Sequence, residues 1–375
     1  MTLTYRNLRS GCYKIAANVR LPGYVAAELT VAVALLGGGA VGTRYGVRQV
    51  RAALAARAQT AAAPTPVPLP ERDDLSDLDD LRVSLESSGT FLGMSDELLL
   101  ERVRTQPIVR FKFNHGGSSI SFRVEFADGS RAAWKPTQTN TQTIPRKEIA
   151  AYRLNRLLGL NAVPPAAPRA VSRDELLSHL HPESLEFLPR IKAETIFNPS
   201  GITYGTASYW IPIIKDSGFD TPEGQKLSTA WLTVGGEPIP PDRMSFAAQI
   251  SDLILFDFLT SNPDRYSGGN MKMSPDGTEL FYMDNTMSFF VDPNGPEKNR
   301  EVLFRTQRFS GTLFQSLDRV TVPTLQRALA QEAGAAYDIL TPAEIAAVVG
   351  RRQVIQQHVR ELIAKFGAHE VLFFP

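Results

Sequence analysis

One stretch constrains this chain more than any other: residues 254–287, ILFDFLTSNPDRYSGGNMKMSPDGTELFYMDNTM. An apolar run, Leu253 to Leu259, stops at Thr260-Ser261-Asn262-Pro263. Asp264 and Arg265 follow, then a glycine-containing loop to Asn270. Pro275-Asp276-Gly277 reads as a turn, because proline presets φ and glycine tolerates the left-handed conformation. Leu280-Phe281-Tyr282-Met283 reads as a short strand ending at Asp284-Asn285. Helix, polar loop, hairpin and acid, in that order, bring Asp264, Asn270 and Asp284 together from local structure alone. Two carboxylates and a carboxamide oxygen suit Mg2+ or Mn2+, which take hard oxygen ligands. The same groups suit a base that orients a hydroxyl for in-line phosphoryl transfer. The plainer alternative for Asp264 is a helix-ending turn. Asp284 weighs against it, because an acid directly behind an apolar run is costly to bury without a partner.

Upstream, alternation predicts three strands: Ile108 to Phe113, Ile120 to Phe126, and Arg131 to Pro136. The turn between the first two contains Gly116, Gly117 and Ser118. Such a turn can lay backbone N–H groups over phosphates, although Gly-Gly is first of all a hairpin signal. Lys135 ends the third strand. Residues 146–159 then read as a helix, with an apolar stripe at Ile149, Tyr152, Leu154, Leu157 and Leu158 and a stop at Gly159. Glu148, in its first turn, either complements the helix dipole or pairs with Lys135. A strand-end lysine followed by a helical glutamate is the protein-kinase arrangement.

A family resemblance enters on these residues. WKP, EIAAYRLNRLLGL and AVPPAAPRAV resemble, in order, the KP, EIAA and VPP runs of the secretory-pathway (Golgi) casein kinases. SNPDRY and MDN resemble that family's N-x-DRH and Asp-Asn segments, and the order is also similar to phosphatidylinositol kinases and HipA-type kinases. The similarity spans roughly residues 110–290. It implies Lys135 on the ATP phosphates, Glu148 as its partner, Asp264 as the catalytic aspartate and Asp284 as a metal ligand. Asn270 is the second metal candidate, but it lies one position further from Asp264 than in kinase-type loops. Tyr266 stands where the family has histidine. Residues 205–212 read as a strand near the adenine, with Trp210 or Ile211 packing beside the base, or as an ordinary core strand. Trp231, in the glycine- and proline-rich insertion 213–243, is either core or substrate contact.

The expected architecture is α+β: a two-lobed, protein-kinase-like fold behind an N-terminal membrane helix. A small β-rich N-lobe with one helix spans 85–212, and a larger, mostly helical C-lobe spans 213–375. Ahead of them, residues 1–22 are basic, 23–43 read as a single-pass anchor, and 44–84 form an alanine/proline and acidic linker. The anchor is about long enough for a bilayer if Glu28 sits near its end, and a cleaved signal is its rival. Basic residues flank it evenly, so the side of the membrane stays open. A single cysteine, Cys12, excludes an internal disulfide, and 40 basic against 39 acidic residues give no reason for a nucleic-acid partner. The expected reaction is ATP- and Mg2+/Mn2+-dependent phosphoryl transfer to a hydroxyl, protein Ser/Thr first. A nucleotide-binding pseudokinase and a lipid, sugar or small-molecule kinase are the alternatives.

Overall fold

The computed structural model describes residues 2–6, 12–16, 89–266, 269–330, 332, 335 and 337–375. The chain divides into two compact units, Met1–Asp73 and Asp74–Pro375. In the first, strands β1 (Thr2–Arg6) and β2 (Cys12–Ala16) pair antiparallel, with Thr4 opposite Lys14. The anchor expected at residues 23–43 lies outside the described residues. Among the described ones, no helix is long and apolar enough to cross a membrane.

The second unit opens with the small pair β3 (Thr90–Phe91) and β4 (Met94–Ser95), then helix α1 (Asp96–Thr105). Ser95 caps α1 by accepting from the Leu98 N–H at 3.3 Å. Strands β5 (Ile108–Phe113), β6 (Phe122–Phe126) and β7 (Arg131–Pro136) follow, then helix α2 (Arg146–Leu157) and strand β8 (Ala166–Ser172). Short helices α3 (Arg173–Ser178) and α4 (Leu188–Glu194) lead to β9 (Ile202–Tyr209). The sheet order is β5-β6-β7-β9-β8, antiparallel throughout. Alternation sends Phe111, Phe113, Phe122, Val124, Phe126 and Trp134 into the core.

Strand β10 (Lys215–Asp216) and helix α5 (Pro222–Trp231) come next, then α6 (Met244–Thr260), β11 (Met271–Met273) and β12 (Leu280–Tyr282). The last three strands form a second sheet, β10-β11-β12. Helices α7 (Glu297–Arg305), α8 (Gly311–Ser316), α9 (Val322–Ala330), α10 (Pro342–Phe366) and α11 (Ala368–Val371) complete the unit. Helix α6 is buried nearly all round, including Phe256 and Phe258 at 0% exposure. Burying each ring is worth about 2–3 kcal/mol, so α6 is the spine on which the polar loop after it hangs. A capping box at Thr341 and Glu344 starts α10. Arg351 of α10 is fully buried. Its Nε donates to the Leu259 carbonyl at 2.8 Å, and its Nη1 to the carbonyls of Phe290 and Asp292, both at 2.7 Å.

One expectation needs correction. Residues 89–212 carry α1 to α4 rather than one helix. The signal for α3 lies in Ser172 and Glu175: the Ser172 hydroxyl accepts from the Glu175 N–H at 3.0 Å. Within the insertion 213–243, β10 extends a sheet and α5 packs into the core. Trp231 is buried and sits 5.9 Å from the Phe219 ring, which makes it core.

Candidate active site

A pocket of about 180 Å³ lies between the first sheet and β12. Lys135 from β7 and Glu148 from α2 face Asp284, just beyond β12, across it. The Lys135 Nζ is 2.6 Å from Asp284 Oδ1 and 3.4 Å from Glu148 Oε1. Lys135 thus contacts Glu148, the pairing read from the sequence, and Asp284 joins them. The Asp284 side chain is 37% exposed, and this exposure is into the pocket, whose walls are protein. Asp284 holds φ at +49°, a left-handed conformation that aspartate tolerates better than most residues.

Electrostatics follow from burial and proximity. Burial opposes the Lys135 charge, but the Asp284 and Glu148 carboxylates outweigh it and hold the ammonium above its ordinary range. Burial likewise opposes ionisation of Asp284, and Lys135 and the Thr286 hydroxyl reverse this, taking its carboxyl down to about 2. Thr286 Oγ1 donates to Asp284 Oδ1 at 2.7 Å. For Glu148 burial wins, pushing its carboxyl above the usual range despite Lys135.

The loop after α6 is ordered from beneath. Ser261 ends the helix at φ +58°. Asn262 Oδ1 accepts from the Asp264 N–H at 3.0 Å. Asn270 Nδ2 donates to the Asp264 carbonyl at 3.1 Å and to its Oδ2 at 3.2 Å. The spacing of six thus still brings Asn270 onto Asp264. The Asn270 carbonyl also accepts from the Met283 N–H at 3.1 Å, which places Asn270 one residue away from Asp284 across the hairpin.

Arg265 has no exposed surface and braces this loop. Its Nε lies 3.1 Å from both Asp257 carboxylate oxygens. Its Nη1 donates to the Asn270 and Met283 carbonyls, and its Nη2 to Asn285 Oδ1 at 2.6 Å. Asn285, also fully buried, donates through Nδ2 to Glu148 Oε2 at 3.3 Å and to the Tyr282 carbonyl at 3.1 Å. Asn299 Nδ2 closes the base by donating to the carbonyls of Asp257 and Asn262 at 3.1 and 2.8 Å. Asp257, Asn262, Asn285 and Asn299 were not singled out from the sequence. Asp257 carried a signal, a lone acid inside an apolar helix, and Asn285 stands directly beside Asp284.

Trp210 and Ile211 line the pocket just after β9, as expected. Ile211 belongs to a small apolar cluster with Phe91, Leu99, Tyr209 and Phe281, which holds this connection from behind. Gly116, Gly117 and Ser118 are not among the lining residues. Their turn stands in open space, with no atom within 4 Å of a side chain placed on either glycine. The Ser118 carbonyl accepts from Arg190 Nη2 at 2.7 Å. Tyr266 packs against the core, with Lys298 5.5 Å over its ring, and burial raises its hydroxyl pKa.

No cluster of three or more His, Cys, Asp or Glu side chains forms a metal cage among the described residues. The chain offers instead one carboxylate held ionised, Asp284, and the Asn270 carboxamide, whose NH2 points at Asp264. This donor set fits an ion such as Mg2+ that keeps waters and phosphate oxygens as its other ligands.

No family model matches the chain, and no curated protein sequence matches it. Solved structures do. A Golgi casein kinase with Mn and ADP bound is 16% identical, with a TM-score of 0.58, covering 83% of this chain and 95% of that one. A second structure of the Golgi casein kinase is 17% identical at the same TM-score and coverage. Hydra Fam20 with sugar is 18% identical, with a TM-score of 0.55 over 72% of this chain and 90% of its own. At these identities the likeness is one of fold, and the fold of this chain is kinase-like, with mixed α and β structure.

Proposed function

We propose that this chain is a phosphotransferase that uses ATP with Mg2+ or Mn2+ and delivers phosphate to a hydroxyl, that of a protein serine or threonine. The observation that carries this reading is the meeting of Lys135, Glu148 and Asp284 in one pocket. The Mn and ADP in a structure of the same fold support the ligand pair. Lys135 neutralises nucleotide phosphates, and Glu148 keeps its ammonium in place. Trp210 and Ile211 flank the base. Asp284 and the Asn270 Oδ1 are the groups that would hold the divalent ion. A bound ion there supplies charge neutralisation as the phosphoryl group leaves. Asp264 orients the acceptor hydroxyl and takes its proton on a carboxylate oxygen. The Gly116-Gly117-Ser118 turn is given no role.

The test is ATP turnover by the full chain with each metal, and phosphate transfer to a protein mixture, beside Asp264→Ala. Turnover that falls at least about 100-fold in the variant is the expected result. Equal rates in both would overturn the reading. A second reading, nucleotide binding without transfer, is favoured by the 2.6 Å Lys135–Asp284 contact, which occupies a carboxylate oxygen the ion would use. Nucleotide bound by the chain and never turned over would select it. Transfer to lipid, sugar or a small metabolite, and not to protein, would instead move the acceptor class.

We also propose that residues 23–43 anchor the chain in a membrane, with lobes at 85–212 and 213–375. Support for the anchor is the apolar stretch itself. Recovery of the full chain in the soluble fraction would remove it.

A further inference from the structure

We propose that Asn285 is a positioning residue, the joint that locks the Lys135–Glu148 pair to the loop carrying Asp264. The inference rests on the phosphotransferase reading and deepens it. Two groups converge on Asn285 from opposite sides. The Glu148 carboxylate only accepts, and the Arg265 guanidinium only donates. One side chain must therefore present a donor to one and an acceptor to the other, and a carboxamide does so with no net charge. The observed orientation has Nδ2 3.3 Å from Glu148 Oε2 and Oδ1 2.6 Å from Arg265 Nη2. The reverse orientation would set oxygen against carboxylate and NH2 against guanidinium.

The two halves matter for different reasons. Glu148 has two carboxylate oxygens: Oε1 faces Lys135 and Oε2 faces Asn285. Holding Oε2 fixes the direction of Oε1. The Asn285 backbone also donates to Glu148, so the side chain supplies the second half of the hold; without it Oε1 is freer to turn from Lys135, whose shorter contact is the 2.6 Å one to Asp284. On the other side, the same guanidinium that Asn285 accepts from also binds the Asn270 and Met283 carbonyls. A shift of Asn285 therefore reaches the loop as well as the lysine. The side chain is fully buried, so water cannot substitute for either contact.

Asn285→Asp separates the halves. The variant keeps the acceptor for Arg265 and loses the side-chain donor for Glu148. Asn285→Leu removes both. Each is measured in the full chain for kcat, KM for ATP, Mn–ADP affinity and Tm. KM and ligand affinity report on folded molecules, so simple loss of folded protein lowers apparent kcat and leaves them unchanged. The expected result is a KM for ATP and a Kd for Mn–ADP raised tenfold or more in Asn285→Asp, with kcat reduced further in Asn285→Leu. A lowered Tm with wild-type KM and Kd would overturn the positioning role while leaving the phosphotransferase reading intact. If the wild type binds Mn–ADP without turnover, the Kd comparison alone decides, in the same directions. If the wild type neither binds nor turns over nucleotide, the phosphotransferase reading falls and takes this role with it.

Discussion

Two of the buried cations, Lys135 and Arg265, are built differently. Lys135 retains 11% exposure of its side chain, into the pocket, and divides its ammonium between Glu148 and Asp284. Arg265 has none, and its fork is spent on Asp257, Asn285 and two carbonyls. A lysine is a point charge on a flexible stem and can exchange partners. An arginine is a rigid plane of donors and holds what it binds in one geometry. On the phosphotransferase reading, the exchangeable cation stands where nucleotide phosphates would be met, and the fixed one where the loop is shaped.

Substitutions can break that contrast, the largest effect first. Asp284→Ala is expected to lower ATP turnover about 1,000-fold or more with a folded protein, measured by turnover beside circular dichroism. A variant at full rate would remove Asp284 from the site. Arg265→Ala should act the other way round, costing about 3–5 kcal/mol of stability because Asp257 is left buried and unpaired. Urea titration reads this, and an unchanged midpoint would mean that Arg265 is not structural.

The two acids of α6 sharpen the comparison. Asp257 has Arg265 and is pushed by burial only up to about 6, whereas Asp252, with an oxygen that has no partner, is pushed to about 7. Folded Asp252 thus keeps its proton to higher pH than the unfolded chain, whose aspartates ionise near about 4. Folding is then opposed progressively as pH rises from about 4 to 7 and by a constant amount above. Asp252→Asn should match the wild type below pH 4 and exceed it by about 1–3 kcal/mol at pH 8, in urea midpoints across pH. A gap that closes as pH rises would contradict the sign. The smallest effect belongs to Gly116→Ala. Its Cβ meets nothing within 4 Å, so stability should hold within about 0.5 kcal/mol and KM for ATP within threefold. A larger rise in KM would bring the turn back to the nucleotide.

Much of the site was legible because its parts are local. Lys135 ends a strand that alternation marks, and Glu148 opens a helix with a clear apolar stripe. Asp264, Asn270 and Asp284 fall on one helix–loop–hairpin unit. The supports were harder to see. Arg265 stands in the loop itself, but its partner Asp257 was hidden by the apolar run around it. Asn285 and Asn299 carry no charge, and their value lies in contacts 137 and 42 positions away in the chain. Helices α3 and α5 were missed because caps and tertiary packing, more than periodicity, define such short segments. The Gly116-Gly117 turn carries less information, since a hairpin turn and a phosphate cover share one local sequence.

The buried Arg351 has a consequence for the order of synthesis. Leu259 and Phe290, whose carbonyls it binds, are made 92 and 61 positions before it. A nascent chain that has emerged through Asn285 already carries every side chain around the pocket. The carbonyls that shape the end of α6 and the segment beyond Asp284 must wait for α10. The hydrogen bonds that fasten these carbonyls can form only after Arg351 has been made.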